Sequence, residues 1–70
     1  MTLEIRPAGF GRVEFFLADT YLGVVMPTDV AATSYLARPV NSGGTIVPTF
    51  ADAYRVICTS EKAKRLGVSI

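Results

Sequence analysis

The sequence predicts a small α+β fold, an antiparallel β-sheet of three to five strands packed against one C-terminal α-helix, in a single compact domain over residues 1–70. Three observations carry this expectation. The N-terminal third alternates apolar and polar residues with a period of two. Asn41-Ser42-Gly43-Gly44 is a turn cluster followed directly by the β-branched Thr45-Ile46-Val47. From Phe50 onward the apolar residues recur at helical spacing behind Thr49, a good cap.

The first strand is expected over Thr2 to Arg6, with Leu3 and Ile5 on one face and Glu4 and Arg6 on the other. Pro7-Ala8-Gly9-Phe10-Gly11 interrupts it with turn residues. A second strand follows over Arg12 to Ala18, with Val13, Phe15 and Leu17 inward and Arg12, Glu14 and Phe16 outward. Asp19-Thr20 turns the chain into a third strand, Tyr21 to Met26. Both faces of that strand are apolar: Tyr21 and Val25 fall on one, Leu22, Val24 and Met26 on the other. Such a strand is either covered twice or presents one face to a partner.

Residues 30–40 admit two readings. Thr28 can cap a short helix through Tyr35 that stops before Pro39, or Ser34 to Arg38 is a fourth strand. The strand is favoured, because the Asn-Ser-Gly-Gly cluster joins it to Thr45–Val47 as a hairpin. In the last element Thr49 is the expected N-cap, with Asp52 three residues on. Phe50, Ala53, Tyr54, Ile57 and Cys58 form one apolar stripe. Lys62, Lys64 and Arg65 suit the negative end of the helix dipole, and Gly67 is placed to end the helix, leaving Val68-Ser69-Ile70 as a tail.

Composition bounds the function. A chain of 70 residues buries only about 60% of the surface that its unfolded form exposes. Hydrophobic residues make up 50% and charged residues 19%, fewer charges than the roughly 25% typical of globular domains. Apolar surface is therefore expected to remain outside the monomer core, for a protein partner or for self-association. A net charge of +1 argues against a dominant nucleic-acid footprint. One cysteine, Cys58, allows no internal disulfide, no apolar run is long enough to span a membrane, and the start Met1-Thr2-Leu3-Glu4 is unlike a signal peptide. A cytoplasmic location is the expectation.

No catalytic or metal-binding constellation stands out. Histidine is absent, which removes the commonest general base and the commonest metal ligand. Cys58 reads as a core position, where a thiol is inert. The six carboxylates, Glu4, Glu14, Asp19, Asp29, Asp52 and Glu61, are dispersed. Arg6 and Arg12 are expected as cross-strand partners of the strand-borne ones. No enzyme activity, cofactor, metal or small-molecule substrate is expected.

The strand, hairpin and helix order, with its helix start at Phe50-Ala51-Asp52-Ala53-Tyr54, resembles the small βββα modules of phage and bacterial mobile-element proteins. That resemblance implies either DNA binding through the sheet, as in the arm-binding domains of tyrosine recombinases, or free-standing inhibition of host proteins. The leading expectation is a protein-interaction module, a small regulator or inhibitor of a larger assembly, with Phe16, Arg12, Glu14, Tyr35 and Arg38 as contact residues. The alternatives are a nucleic-acid-binding domain using Arg6, Arg12 and Arg38 on the sheet or Lys62, Lys64 and Arg65 at the helix end, and a structural homo-oligomer paired through a strand edge.

Overall fold

The computed structural model describes residues 3–67. Five strands form one antiparallel sheet in chain order: β1 (Leu3–Gly9), β2 (Arg12–Leu17), β3 (Thr20–Pro27), β4 (Tyr35–Pro39) and β5 (Thr45–Val47). Two helices follow, α1 (Phe50–Cys58) and α2 (Glu61–Arg65). The expected α+β class holds, with the upper end of the expected strand number. Five strands precede the helices, against three in the βββα pattern expected from the sequence. The expected Thr2 and Val68-Ser69-Ile70 positions lie outside the described residues.

The register of the first hairpin follows the alternation, but the break expected after Arg6 is corrected: β1 continues through Pro7 and Ala8 to Gly9, and only Phe10-Gly11 make the turn. Leu3 stands opposite Leu17 and Ile5 opposite Phe15, on the face that α1 covers. Glu4 opposes Phe16 and Arg6 opposes Glu14 on the other face. Phe15 and Leu17 are buried, as the spacing predicts. The turn into β3 sits one residue earlier than expected, at Ala18-Asp19, both with positive φ (49° and 69°). That pattern matches the right-handed twist of a two-residue hairpin.

The face assignment of β3 departs from strict alternation. Phe15 pairs with Gly23 while Phe16 pairs with Tyr21, so Leu22 is an extra residue in a β-bulge. The bulge moves Leu22 and Val25 to the same side, and both join the core. Tyr21, Val24 and Met26 are left together on the opposite side, as their partners Phe16, Glu14 and Leu36 require. The expected grouping of Leu22 with Val24 and Met26 is corrected by this one inserted residue.

Residues 30–40 form the strand and not the helix. β4 pairs with β3 through Gly23↔Pro39, Val24↔Arg38, Val25↔Ala37, Met26↔Leu36 and Pro27↔Tyr35. In the preceding loop Asp29 accepts hydrogen bonds from the Thr33 backbone N–H (3.1 Å) and hydroxyl (2.7 Å). These bonds hold a compact turn in place of a helical start and keep the Asp29 carboxyl below its usual pKa.

Thr49 caps α1: its hydroxyl oxygen accepts the Asp52 N–H at 3.1 Å. α1 lies across β3, β4 and β5 and buries Ala53, Ile57 and Cys58. The single expected helix is two. The Thr59 hydroxyl donates to the Arg55 carbonyl and the Ser60 hydroxyl to the Ile57 carbonyl, each at 2.7 Å, closing α1. Ser60 is then extended (ψ 160°), and α2 restarts at Glu61. Short hydroxyl side chains competing for helical carbonyls produce this break. Gly67, at φ +86°, ends α2 as its position predicts.

Two changes test this architecture. A Cβ at Gly23 would lie 2.7 Å from the Arg38 carbonyl oxygen and 2.9 Å from both Ile57 Cδ1 and Pro39 Cα. Gly23→Ala is therefore expected to lower unfolding free energy by about 1–3 kcal/mol, read by denaturant titration. Thr49→Ala removes the cap and is expected to lose about 1 kcal/mol in the same measurement, with a matching loss of helical circular dichroism.

Candidate functional site

Both helices pack on one side of the sheet, and among the described residues no element covers the other side. By register, this outer face carries Glu4 and Arg6 on β1, Glu14 and Phe16 on β2, Tyr21, Val24 and Met26 on β3, Leu36 and Arg38 on β4, and Ile46 on β5. Val24 and Met26 stand directly opposite Arg38 and Leu36, and Leu36 opposite Ile46, so the apolar residues run across three strands without interruption. They are half-buried against one another, while Ile46 at the edge is 68% exposed.

One end of this face is an electrostatic cluster. Arg6 pairs with Glu4 and with Asp19 (3.0 Å), and its guanidinium lies 4.1 Å from the centre of the Phe16 ring. Phe16 in turn packs on Tyr21, with ring centres 5.6 Å apart. Hydrogen bonding from Arg6 lowers the Glu4 pKa, and the same contact raises that of Arg6. Burial raises the Tyr21 phenol above its ordinary value. The Glu14 charge adds to that rise and Arg38 opposes it. Beside these residues, Tyr21, Val24, Arg38 and the β4–β5 loop line a depression of about 540 Å³.

The structure brings together Phe16, Glu14 and Arg38 from the expected contact set, with Arg12 at the rim. Arg12 donates to the carbonyls of Ala8 (3.2 Å) and Gly9 (3.4 Å) and so braces the β1–β2 loop; the expected pairing of Arg12 with a carboxylate is replaced by these backbone bonds. At the tip of that loop Phe10 is 95% exposed, with Arg12 6.0 Å from its ring centre. Tyr35 is not on the outer face. It stands opposite Val47 and packs edge-on against Phe50 of α1 (5.8 Å), so it belongs to the helix side. Ser34 begins the expected strand but β4 starts at Tyr35, and the β3 bulge sets which parity faces the helix.

Sequence reading missed Tyr21, Val24, Met26 and Leu36 as a joint surface. The apolar character of β3 on both faces signalled such a surface, but its membership depended on the bulge. The expected basic residues do not converge. Arg6 and Arg38 lie on the outer face and Arg12 holds the hairpin tip. On the helical side, Arg65 pairs with Glu61 while Lys62 and Arg65 line a separate cleft beside Asn41 and Ser42.

Cys58, the last residue of α1, is buried, and burial pushes its thiol pKa up. Among the described residues, no group of three or more Cys, Asp or Glu is placed to hold a metal ion, and no helix is long and apolar enough to cross a membrane.

Replacing Glu14 by Gln removes a charge that disfavours the Tyr21 phenolate, so Glu14→Gln is expected to move the Tyr21 pKa down toward 10. A phenol whose pKa is raised on folding stabilises the protein below the unfolded value near 10, and this contribution is lost as pH rises through the folded value. NMR titration of the Tyr21 ring, with unfolding measured between pH 8 and 11, checks both. No family model, curated protein or solved structure matches this chain.

Proposed function

We propose that this chain is a non-enzymatic protein-interaction module, a small regulator or inhibitor that docks on a larger protein through the outer face of its sheet. The observation that carries this reading is the continuous apolar band Tyr21, Val24, Met26, Leu36 and Ile46 on the side opposite the helices. Apolar residues of a small chain are normally drawn into its core, and a contiguous half-buried set on an uncovered face, with Ile46 exposed at its edge, supports a contact surface. At the Tyr21 end of the band Phe16 packs on the Tyr21 ring, two aromatic groups that offer large area with few torsions to restrict, and Arg6 and Arg38 stand at its rim. Aromatic residues and arginine are the types that anchor protein interfaces.

Charge balance favours a protein partner over a nucleic acid. Arg6 and Arg38 share their face with Glu4 and Glu14, and Arg6 is already neutralised by Glu4 and Asp19. A phosphate backbone would meet carboxylates at nearly every approach, which raises repulsion along with attraction. A catalytic role finds no support in the same residues. Asp19, Asp29 and Glu61 are occupied with Arg6, Thr33 and Arg65, and Cys58 is buried.

The test is affinity capture from the native host with the wild-type chain and with a Val24→Thr/Ile46→Thr double variant. Threonine keeps the β-branched shape and removes apolar area, so the strands stay favourable. A specific protein retained by the wild type should bind the double variant about tenfold more weakly or worse, with circular dichroism unchanged. Equal retention by both rules out the outer face. Retention of nucleic acid that disappears steeply with salt moves the assignment to the nucleic-acid reading.

A further inference from the structure

The free edge of the sheet at β1 has a property distinct from its outer face. Leu3 and Ile5 project to the helix side, opposite Leu17 and Phe15, yet α1 packs mainly on β3, β4 and β5, away from β1. Ile5 is consequently 43% exposed on the side of the sheet that elsewhere forms the core. On the other side of the same strand Glu4 and Arg6 flank Ile5 with opposite charges.

We infer that β1 pairs with β1 of a second copy, antiparallel, about a two-fold axis at Ile5. The register follows from the charges. Centring on Ile5 sets Glu4 of each copy against Arg6 of the other, Ile5 against Ile5, and Leu3 against Pro7. Centring on Glu4 or Arg6 sets a like charge against itself, which opposes pairing. Shifting by a single residue in the pairing sum would join the helix side of one copy to the outer face of the other. Ile5 is therefore the centre that keeps the faces matched and also sets Glu4 and Arg6 against each other.

The contacts fit this arrangement. Arg6 uses Nε and Nη2 for Glu4 and Asp19, leaving Nη1 to a carboxylate across the edge. An axis perpendicular to the sheet keeps both helical layers on one side, with each α1 away from the junction, and Ile5 of each copy covers the other. Pro7 lacks an N–H, and the ladder to β2 becomes irregular between Pro7 and Gly9. These features confine the pairing to Leu3–Pro7, and a two-fold contact uses β1 of both copies at once, so it closes at the dimer. The outer face remains free, so this self-association is independent of the proposed docking function.

The test uses the full chain and two charge reversals, Glu4→Lys and Arg6→Glu, followed by light scattering and native mass spectrometry up to millimolar concentration. The wild type is expected to move from 7.5 kDa toward twice that mass as concentration rises. Each reversal alone sets like charges opposite and should remain monomeric. Mixing the two variants restores opposite charges at both positions, so a mixed dimer should form. A wild type that stays monomeric throughout overturns the inference. So does a dimer that survives both reversals, or two variants that fail to combine although circular dichroism shows each folded. Loss of self-association in the Val24→Thr/Ile46→Thr variant alone would place the contact on the outer face and overturn the edge pairing.

Discussion

The close approach of three elements at Gly23 sets the rest of the structure. The backbone there runs against the Arg38 carbonyl and Pro39 of β4, and Ile57 of α1 rests on it from above. No side chain fits between them, so the helix can settle on β3 and β4 only where glycine occurs. The neighbouring Leu22 is the inserted residue of the bulge, and its side chain enters the core formed by Phe15, Val25, Ala37, Ala53 and Ile57. The packing of α1 and the division of β3 into two faces are thus consequences of the same two residues. A bulge normally bends a strand and re-aims its side chains. Here it collects Tyr21, Val24 and Met26 on the side that the helices leave bare.

That division also explains how so apolar a chain distributes its residues. Small buried residues, Ala37, Ala53 and Ala63, let the helices sit close to the sheet, while the larger core side chains come from β2, β3 and α1. One thin layer of helix cannot cover five strands. The helical layer lies toward β4 and β5, so the opposite edge at β1 keeps Ile5 partly in solvent, and among the described residues the outer face has only its own side chains for cover. The face proposed for a protein partner and the edge inferred to pair with a second copy both arise from this shortage of covering mass in a short chain.

The charged groups organise the rim of the sheet. Arg6 is engaged at once by Glu4, Asp19 and the Phe16 ring, joining β1, the β2–β3 turn and the outer aromatic pair. Exposed ion pairs of this kind contribute little individually to stability. Their structural effect is to fix the position of an arginine over an aromatic ring, which gives the surface a defined shape next to its apolar band. The raised Tyr21 pKa reports the same environment: a phenol partly withdrawn from water between Glu14 and Arg38.

Much of the fold was legible in local pattern. The alternation in β1 and β2, the turn cluster before β5, the Thr49 cap and the Gly67 terminus each depend on residues close in sequence, and each emerged as expected. The departures are those in which distant residues decide. The β3 bulge follows from packing of Leu22 and Gly23 against Phe15, Arg38 and Ile57, and period-two counting cannot register an inserted residue. Tyr35 faces Phe50 because the β3–β4 register puts it there. Division of the helix at Thr59 and Ser60 comes from two hydroxyls that favour carbonyl capture once a turn is needed to place Ala63 in the core. By itself, then, the sequence determined the element types, most of their ends and the surplus of apolar residues, because those depend on local propensity and composition. Only the tertiary structure decided which apolar residues stay outside, because one inserted residue in β3 and the side chosen by α1 assign every face of the sheet.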